Sequence, residues 1–126
     1  MVLDASALLA YLHAEPGADM VAEALGANAV MSAVNWAEVV AKLHQGGLAS
    51  HAWRSVLDDL RDIAVVPFTQ PDAEAAAVLS LETGRLGLSL GDRACLVLAD
   101  MRQDTALTAD RAWSELLPRY RVRLIR

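Results

Sequence analysis

The 126-residue chain has one cysteine, one lysine and no uninterrupted apolar run long enough to cross a bilayer. A lone cysteine excludes an internal disulfide framework. Cys95 falls within an apolar helical stretch, where a buried, inert thiol is the expected state. The N-terminus has no basic segment ahead of an apolar core, and Asp4 interrupts the opening apolar run at once. A secretory leader is therefore not expected, and a cytoplasmic location without a membrane partner is. There is no internal repeat, no low-complexity tract and no dividing linker, so residues 1–126 are expected to form one domain. The net charge of −5 disfavours a protein whose main work is to grip phosphate backbones. It does not exclude a nuclease, because carboxylates that hold a metal bring negative charge themselves.

Hydrophobic residues are 55% of the chain and charged residues 21%, a globular balance tilted slightly apolar and rich in helix-forming Ala. Short apolar runs alternate with longer helical patterns. Strands are predicted at 1–4, 29–31, 63–68, 105–108 and 122–125. Helices are predicted at 6–12, 18–25, from an N-cap at Ser32 to about Gln45, at 50–61, from Pro71-Asp72 to about Thr83, from Asp92 to about Arg102, and from Asp110 to Pro118. Gly46-Gly47 and Gly84 are read as helix stops. Trp53, Val56, Leu57 and Leu60 recur at helical spacing, and Asp58, Asp59, Arg61 and Asp62 make a solvated charged face. Strands separated by helices define an α/β fold, a mostly parallel sheet of about five strands with helices on both faces.

Four carboxylates stand where such a fold would bring them to one edge. Asp4 closes the first strand, and Asp110 follows the fourth. Glu38 lies in the first two turns of the helix after strand two, and Asp92 opens the helix before strand four. Crossover helices run antiparallel to the strands, so their N-termini share an edge with the strands' carboxyl ends, where ligands bind in parallel sheets. Two bare carboxylates about 4 Å apart repel by roughly 4 kcal/mol at an effective dielectric near 20, so a convergent set needs a cation or raised proton affinities. An all-oxygen set without His or thiolate suits Mg²⁺ or Mn²⁺ better than Zn²⁺. The hydroxyls of Ser6 and Thr108 are placed to orient metal-bound water.

Each acid also has a local explanation. Asp92 can cap its helix, Glu38 can pair with Asn35 in a capping box, and Asp110 can close an Asx-turn. Asp4 has the weakest of these, since a carboxylate in an apolar strand is costly without a partner. Capping for Ser6 and strand propensity for Thr108 are equally simple. His13, His44 and His51 show no convergent pattern and are read as helix-surface residues. The basic segment 119–126 reads first as an edge strand with Arg on its solvent face, and second as a polyanion contact.

Four segments resemble the motifs of PIN domains, especially VapC-type ribonuclease toxins of toxin–antitoxin pairs. Val2-Leu3-Asp4-Ala5-Ser6-Ala7-Leu8-Leu9-Ala10 is similar to the first, Asn35-Trp36-Ala37-Glu38-Val39 to the second and Leu107-Thr108-Ala109-Asp110-Arg111-Ala112-Trp113 to the fourth. The most specific is Ser89-Leu90-Gly91-Asp92-Arg93-Ala94-Cys95-Leu96, similar to the third. They occur in family order over nearly the whole chain, with Trp113 where the family often has Phe. The resemblance implies a PIN-like three-layer α/β/α sandwich and a Mg²⁺- or Mn²⁺-dependent endoribonuclease. Asp4 and Asp92 would be the principal metal ligands, completed by Glu38 and Asp110 directly or through water. It also implies a homodimer and a cognate antitoxin that blocks the cleft. Two rivals differ in class. A receiver-like phosphoacceptor needs a Lys near the end of a late strand, and Lys42 is elsewhere. A catalytically silent PIN-fold module that binds RNA or protein would keep the fold without the chemistry.

Overall fold

The opening strand is two residues long because its third step is a helix cap. In the computed structural model, which describes residues 1–46 and 50–126 without the side chains of Ser50, His51, Trp53 and Leu57, β1 spans Val2–Leu3 and α1 spans Ala5–Leu12. Asp4 sits between them in extended conformation as the N-cap of α1. The chain continues through α2 (Ala18–Gly26), β2 (Val30–Ser32), α3 (Ala33–Gln45), α4 (Ser50–Asp59), β3 (Ala64–Val66), α5 (Gln70–Glu82), α6 (Leu90–Met101), β4 (Ala106–Thr108) and β5 (Val122–Leu124).

The sheet has the order β3-β2-β1-β4-β5, and every pairing is parallel. Side-chain alternation along the strands divides the core into two faces. Leu3, Met31 and Leu107 point into a cluster with Ala7 and Leu8 of α1, Val21 of α2 and Val39 of α3. Val2, Val30 and Ala106 point the other way, onto Leu79 of α5, Cys95 and Leu96 of α6, and Trp113. The result is the expected three-layer α/β/α sandwich, with an all-parallel sheet. Strand order reverses between β1 and β4, and at such a switch point the loops diverge and leave a crevice.

Local signals hold at most boundaries. Ser32 caps α3, accepting from the Val34 backbone N–H at 3.2 Å. Reciprocal capping boxes open α5 (Thr69 with Asp72) and α6 (Ser89 with Asp92). Val122–Leu124 is an edge strand with Arg121 and Arg123 exposed, as the first reading of that segment had it. In α2, Val21 and Ala24 are buried, with Met20 and Leu25 packed beside them.

Three local expectations are corrected. Thr83, not Gly84, caps α5, donating its hydroxyl to the Leu79 carbonyl at 2.8 Å, and Gly84–Leu86 is a 3-10 turn. The segment after Asp110 is a 3-10 helix, Arg111–Leu116, that ends before Leu117. Glu38 is not a capping partner, because Ser32 rather than Asn35 caps α3. The helix stop at Gly47 and the side chains of His51, Trp53 and Leu57 lie outside the described residues. Among the described residues, no helix is long and apolar enough to cross a membrane.

Candidate functional site

Asp4 is only 4% exposed, on the carboxyl edge of β1 at the switch point. Burying a carboxylate is tolerable only if its oxygens are bonded. Oδ2 accepts from the Ser6 hydroxyl at 2.5 Å, the Thr108 hydroxyl at 3.0 Å and the Ser6 backbone N–H at 3.3 Å. Both hydroxyls are themselves held: Ser6 Oγ accepts from the Ala109 N–H at 3.0 Å, and Thr108 Oγ1 from the Asp110 N–H at 3.1 Å. The loop after β4 thus aims two hydroxyls at one oxygen. Ser6 and Thr108, read from sequence as water-orienting, orient the Asp4 carboxylate itself. Oδ1 accepts one longer bond, from Asn35 Nδ2 at 3.3 Å, and so keeps unused acceptor capacity.

Glu38 and Asp92 reach the same place from two helices. Glu38 is half-buried on α3, and its Oε2 takes a 3.5 Å bond from Asn35. Asp92 is the third residue of α6, where its Oδ2 accepts from the Ser89 N–H at 2.8 Å. The helices interlock at Gly91, whose carbonyl accepts from Asn35 Nδ2 at 2.9 Å. The three acids share one electrostatic field. Burial, and then the charge of Asp92, push the Asp4 carboxyl above its ordinary range against the pull of its hydroxyl partners. Burial, followed by the charges of Asp4 and Asp92, raises Glu38. Cys95, buried one turn beyond Asp92, is pushed well up by burial and then by Asp4, Asp92 and Glu38. It is the inert thiol that the sequence suggested.

Asp110 differs. Its carboxylate is exposed and accepts from the Ala112 N–H at 2.9 Å, capping the 3-10 helix. Its link to the other acids runs through its backbone N–H and Thr108. The structure therefore brings Asp4, Glu38 and Asp92 together and sets the Asp110 carboxylate at the rim. His13 and His44 are exposed. Sequence reasoning missed Asn35 as a member of the site. The available signal was its position one helical turn before Glu38, which places both on one face.

Among the described residues, no three carboxylate, histidine or thiol groups form a ready-made metal cage. The donor set still fits a hard divalent cation. Mg²⁺ binds through one or two carboxylates and keeps several waters. Here a buried carboxylate keeps unused acceptor capacity on Oδ1 beside two further acids of like charge. A cavity of about 430 Å³ lies elsewhere: it is lined by Leu96, Asp100, Gln103, Pro118 and Arg121 where α6 ends and β5 begins, and it includes none of the four acids. Chemistry, not volume, marks the acid crevice as the site.

The raised carboxyls carry a pH signature. A carboxyl that binds its proton more tightly when folded contributes stability that is fully present below its unfolded pKa, about 4. That stability is lost as pH rises through the folded value. In EDTA, the melting temperature of Asp4→Asn minus that of the parent should be near zero around pH 4 and grow as pH rises toward 7. Thermal denaturation followed by circular dichroism measures it, and a difference that shrinks with rising pH would show Asp4 to be stabilised as an anion.

The fold and the acid crevice define a class: parallel α/β domains with a carboxylate site at the sheet's switch point. The PIN domain family model matches residues 1–116, and the chain belongs to that family. No curated relative matches it in sequence. Solved structures share the fold at low identity. A toxin–antitoxin complex from Klebsiella pneumoniae superposes with a TM-score of 0.76 at 19% identity, over 99% of this chain and 97% of that one. DNA-bound VapBC from Salmonella typhimurium gives 0.77 at 14%, over 99% and 97%. VapBC2 from Rickettsia felis, bound to a promoter DNA fragment, gives 0.76 at 14%, over 98% and 96%.

Proposed function

We propose that the protein is a divalent-metal-dependent endoribonuclease that acts as the toxin of a toxin–antitoxin pair. The observation that carries this reading is the Asp4 carboxylate, buried and clamped through Oδ2, with Oδ1 available next to Glu38 and Asp92. Family membership supports nuclease chemistry, and the toxin–antitoxin complexes that share the fold support an antitoxin partner. A homodimer and an RNA substrate belong to the same reading.

Asp4 and Asp92 would hold Mg²⁺ or Mn²⁺, with Glu38 beside them. An ion held there would supply activation of water and neutralisation of charge developing on the phosphate. The chain's own part is positional. Ser6 and Thr108 fix the Asp4 carboxylate so that it need not reorganise as charge develops. Glu38, with its proton affinity raised, is placed to accept a proton from water in the crevice. Asp110 at the rim reaches the site through water, and no side chain forms a covalent intermediate.

The second reading, a silent binding module, keeps all four acids without turnover. Incubation of the purified chain with mixed RNA, in Mn²⁺, in Mg²⁺ and in EDTA, separates the two. Metal-dependent cleavage that EDTA abolishes is expected. Cleavage that survives EDTA would sink the mechanism, and binding without cleavage across broad RNA pools would establish the silent module.

A further inference from the structure

Asn35 is fully buried, yet its Oδ1 has no hydrogen-bond partner. A buried amide with an unmet acceptor costs roughly 1–3 kcal/mol, and Asn is a weaker helix former than the alternatives at the third position of α3. Local structure does not call for it, since Ser32 already caps the helix. The other end of the side chain is over-subscribed. Nδ2 faces the Gly91 carbonyl at 2.9 Å, Asp4 Oδ1 at 3.3 Å and Glu38 Oε2 at 3.5 Å. Its two N–H groups serve three acceptors, so one goes to Gly91 and the other is shared between the two carboxylates. The reversed amide would set a carbonyl oxygen against all three, which fixes its orientation.

These bonds reach three separate pieces of the fold. Asp4 follows β1 as the cap of α1, Glu38 is one turn along α3, and Gly91 precedes Asp92 at the start of α6. One neutral amide therefore ties together the supports of all three acids. Neutrality matters, because a Lys or Arg here would cancel the negative field that a cation answers. Resting on the metal-dependent reading above, we infer that Asn35 is the positioning residue of this site: its amide sets the spacing of the Asp4, Glu38 and Asp92 carboxylates, and hence the site's affinity for a divalent cation.

The test is Mn²⁺ titration by calorimetry on the purified chain and two variants, with melting in EDTA measured alongside. Asn35→Leu keeps the branched side-chain skeleton at a somewhat larger volume, removes the unmet acceptor and deletes both donors. Asn35→Ala deletes the donors and the volume. Loss of a group that orients metal ligands typically weakens metal binding by about 10- to 100-fold. Asn35→Leu is expected to melt close to the parent and to bind Mn²⁺ more weakly by that factor, and Asn35→Ala to bind as weakly and melt lower. If packing were the role, Leu would restore binding: a folded Asn35→Leu with Mn²⁺ affinity within about twofold of the parent, far below that 10- to 100-fold loss, overturns the assignment. Unfolding of both variants at 25 °C assigns Asn35 to the fold and overturns it too. Absence of Mn²⁺ binding by the parent would remove the metal-dependent reading together with this inference, whereas equal binding by parent and variants removes the inference alone.

Discussion

Asp4→Asn is expected to lower RNA cleavage by about 10³-fold or more while leaving the metal-free fold at least as stable as the parent. The loss follows from charge: a bound divalent ion contributes several kcal/mol at the transition state, and each 1.36 kcal/mol is tenfold in rate. Asp4 is the acid clamped through one oxygen with acceptor capacity left on the other, so removing its charge disables the part of the site that no neighbour duplicates. The stability result follows from the same burial. An Asn at position 4 still accepts from Ser6 and caps α1, where Asn and Asp are equivalent caps. It no longer holds a buried charge beside Asp92 and Glu38. Cleavage rates in Mn²⁺ and melting in EDTA read the two arms. Full activity in the folded variant would remove Asp4 from the chemistry. A large fall in melting temperature would make its carboxylate structural.

Much of this was legible in the chain because local and tertiary requirements coincide. Alternation across Val2-Leu3, Val30-Met31 and Ala106-Leu107 marks strands buried on both faces, and Ser32 marks a helix start, whereas α6 begins at Leu90 behind its cap Ser89, two residues before the expected start at Asp92. Once the sheet is parallel, Asp4, Glu38 and Asp92 must share an edge. Strand ends were less legible. The segment 63–68 shrinks to Ala64–Val66 because Pro67 has no N–H to continue the ladder. The role of Asp110 was not separable from that of the other acids, since a cap and a ligand require the same residue type. Asn35 was hidden for a related reason. Its spacing from Glu38 is that of a capping box, and only the docking of α6 on α3 shows that the amide bonds Gly91 and Asp4 instead.

That docking makes Gly91→Ala the substitution that most cleanly parts function from stability. Position 91 is the second residue of α6, with helical backbone, so Ala there should favour the helix by up to about 1 kcal/mol over Gly. An added Cβ, however, would stand 2.2 Å from Glu38 Oε2 and 2.8 Å from its carboxyl carbon. The obstacle is the far end of a flexible side chain, so Glu38 swings aside at little cost to the fold. The site is less forgiving, because displacing a reacting or ligating group by about 1 Å can cost 10²-fold. Gly91→Ala is therefore expected to melt at or above the parent in EDTA and to lose about 10²-fold in metal-dependent cleavage. Glu38→Asp shortens the acid by one methylene and relieves the contact. Adding Gly91→Ala to Glu38→Asp should then cost little more than Glu38→Asp alone, a non-additivity that direct contact produces and independent sites do not. Additive losses in the double variant would mean that Gly91 and Glu38 act separately, and the close fit of α6 against α3 would no longer explain why position 91 is a glycine.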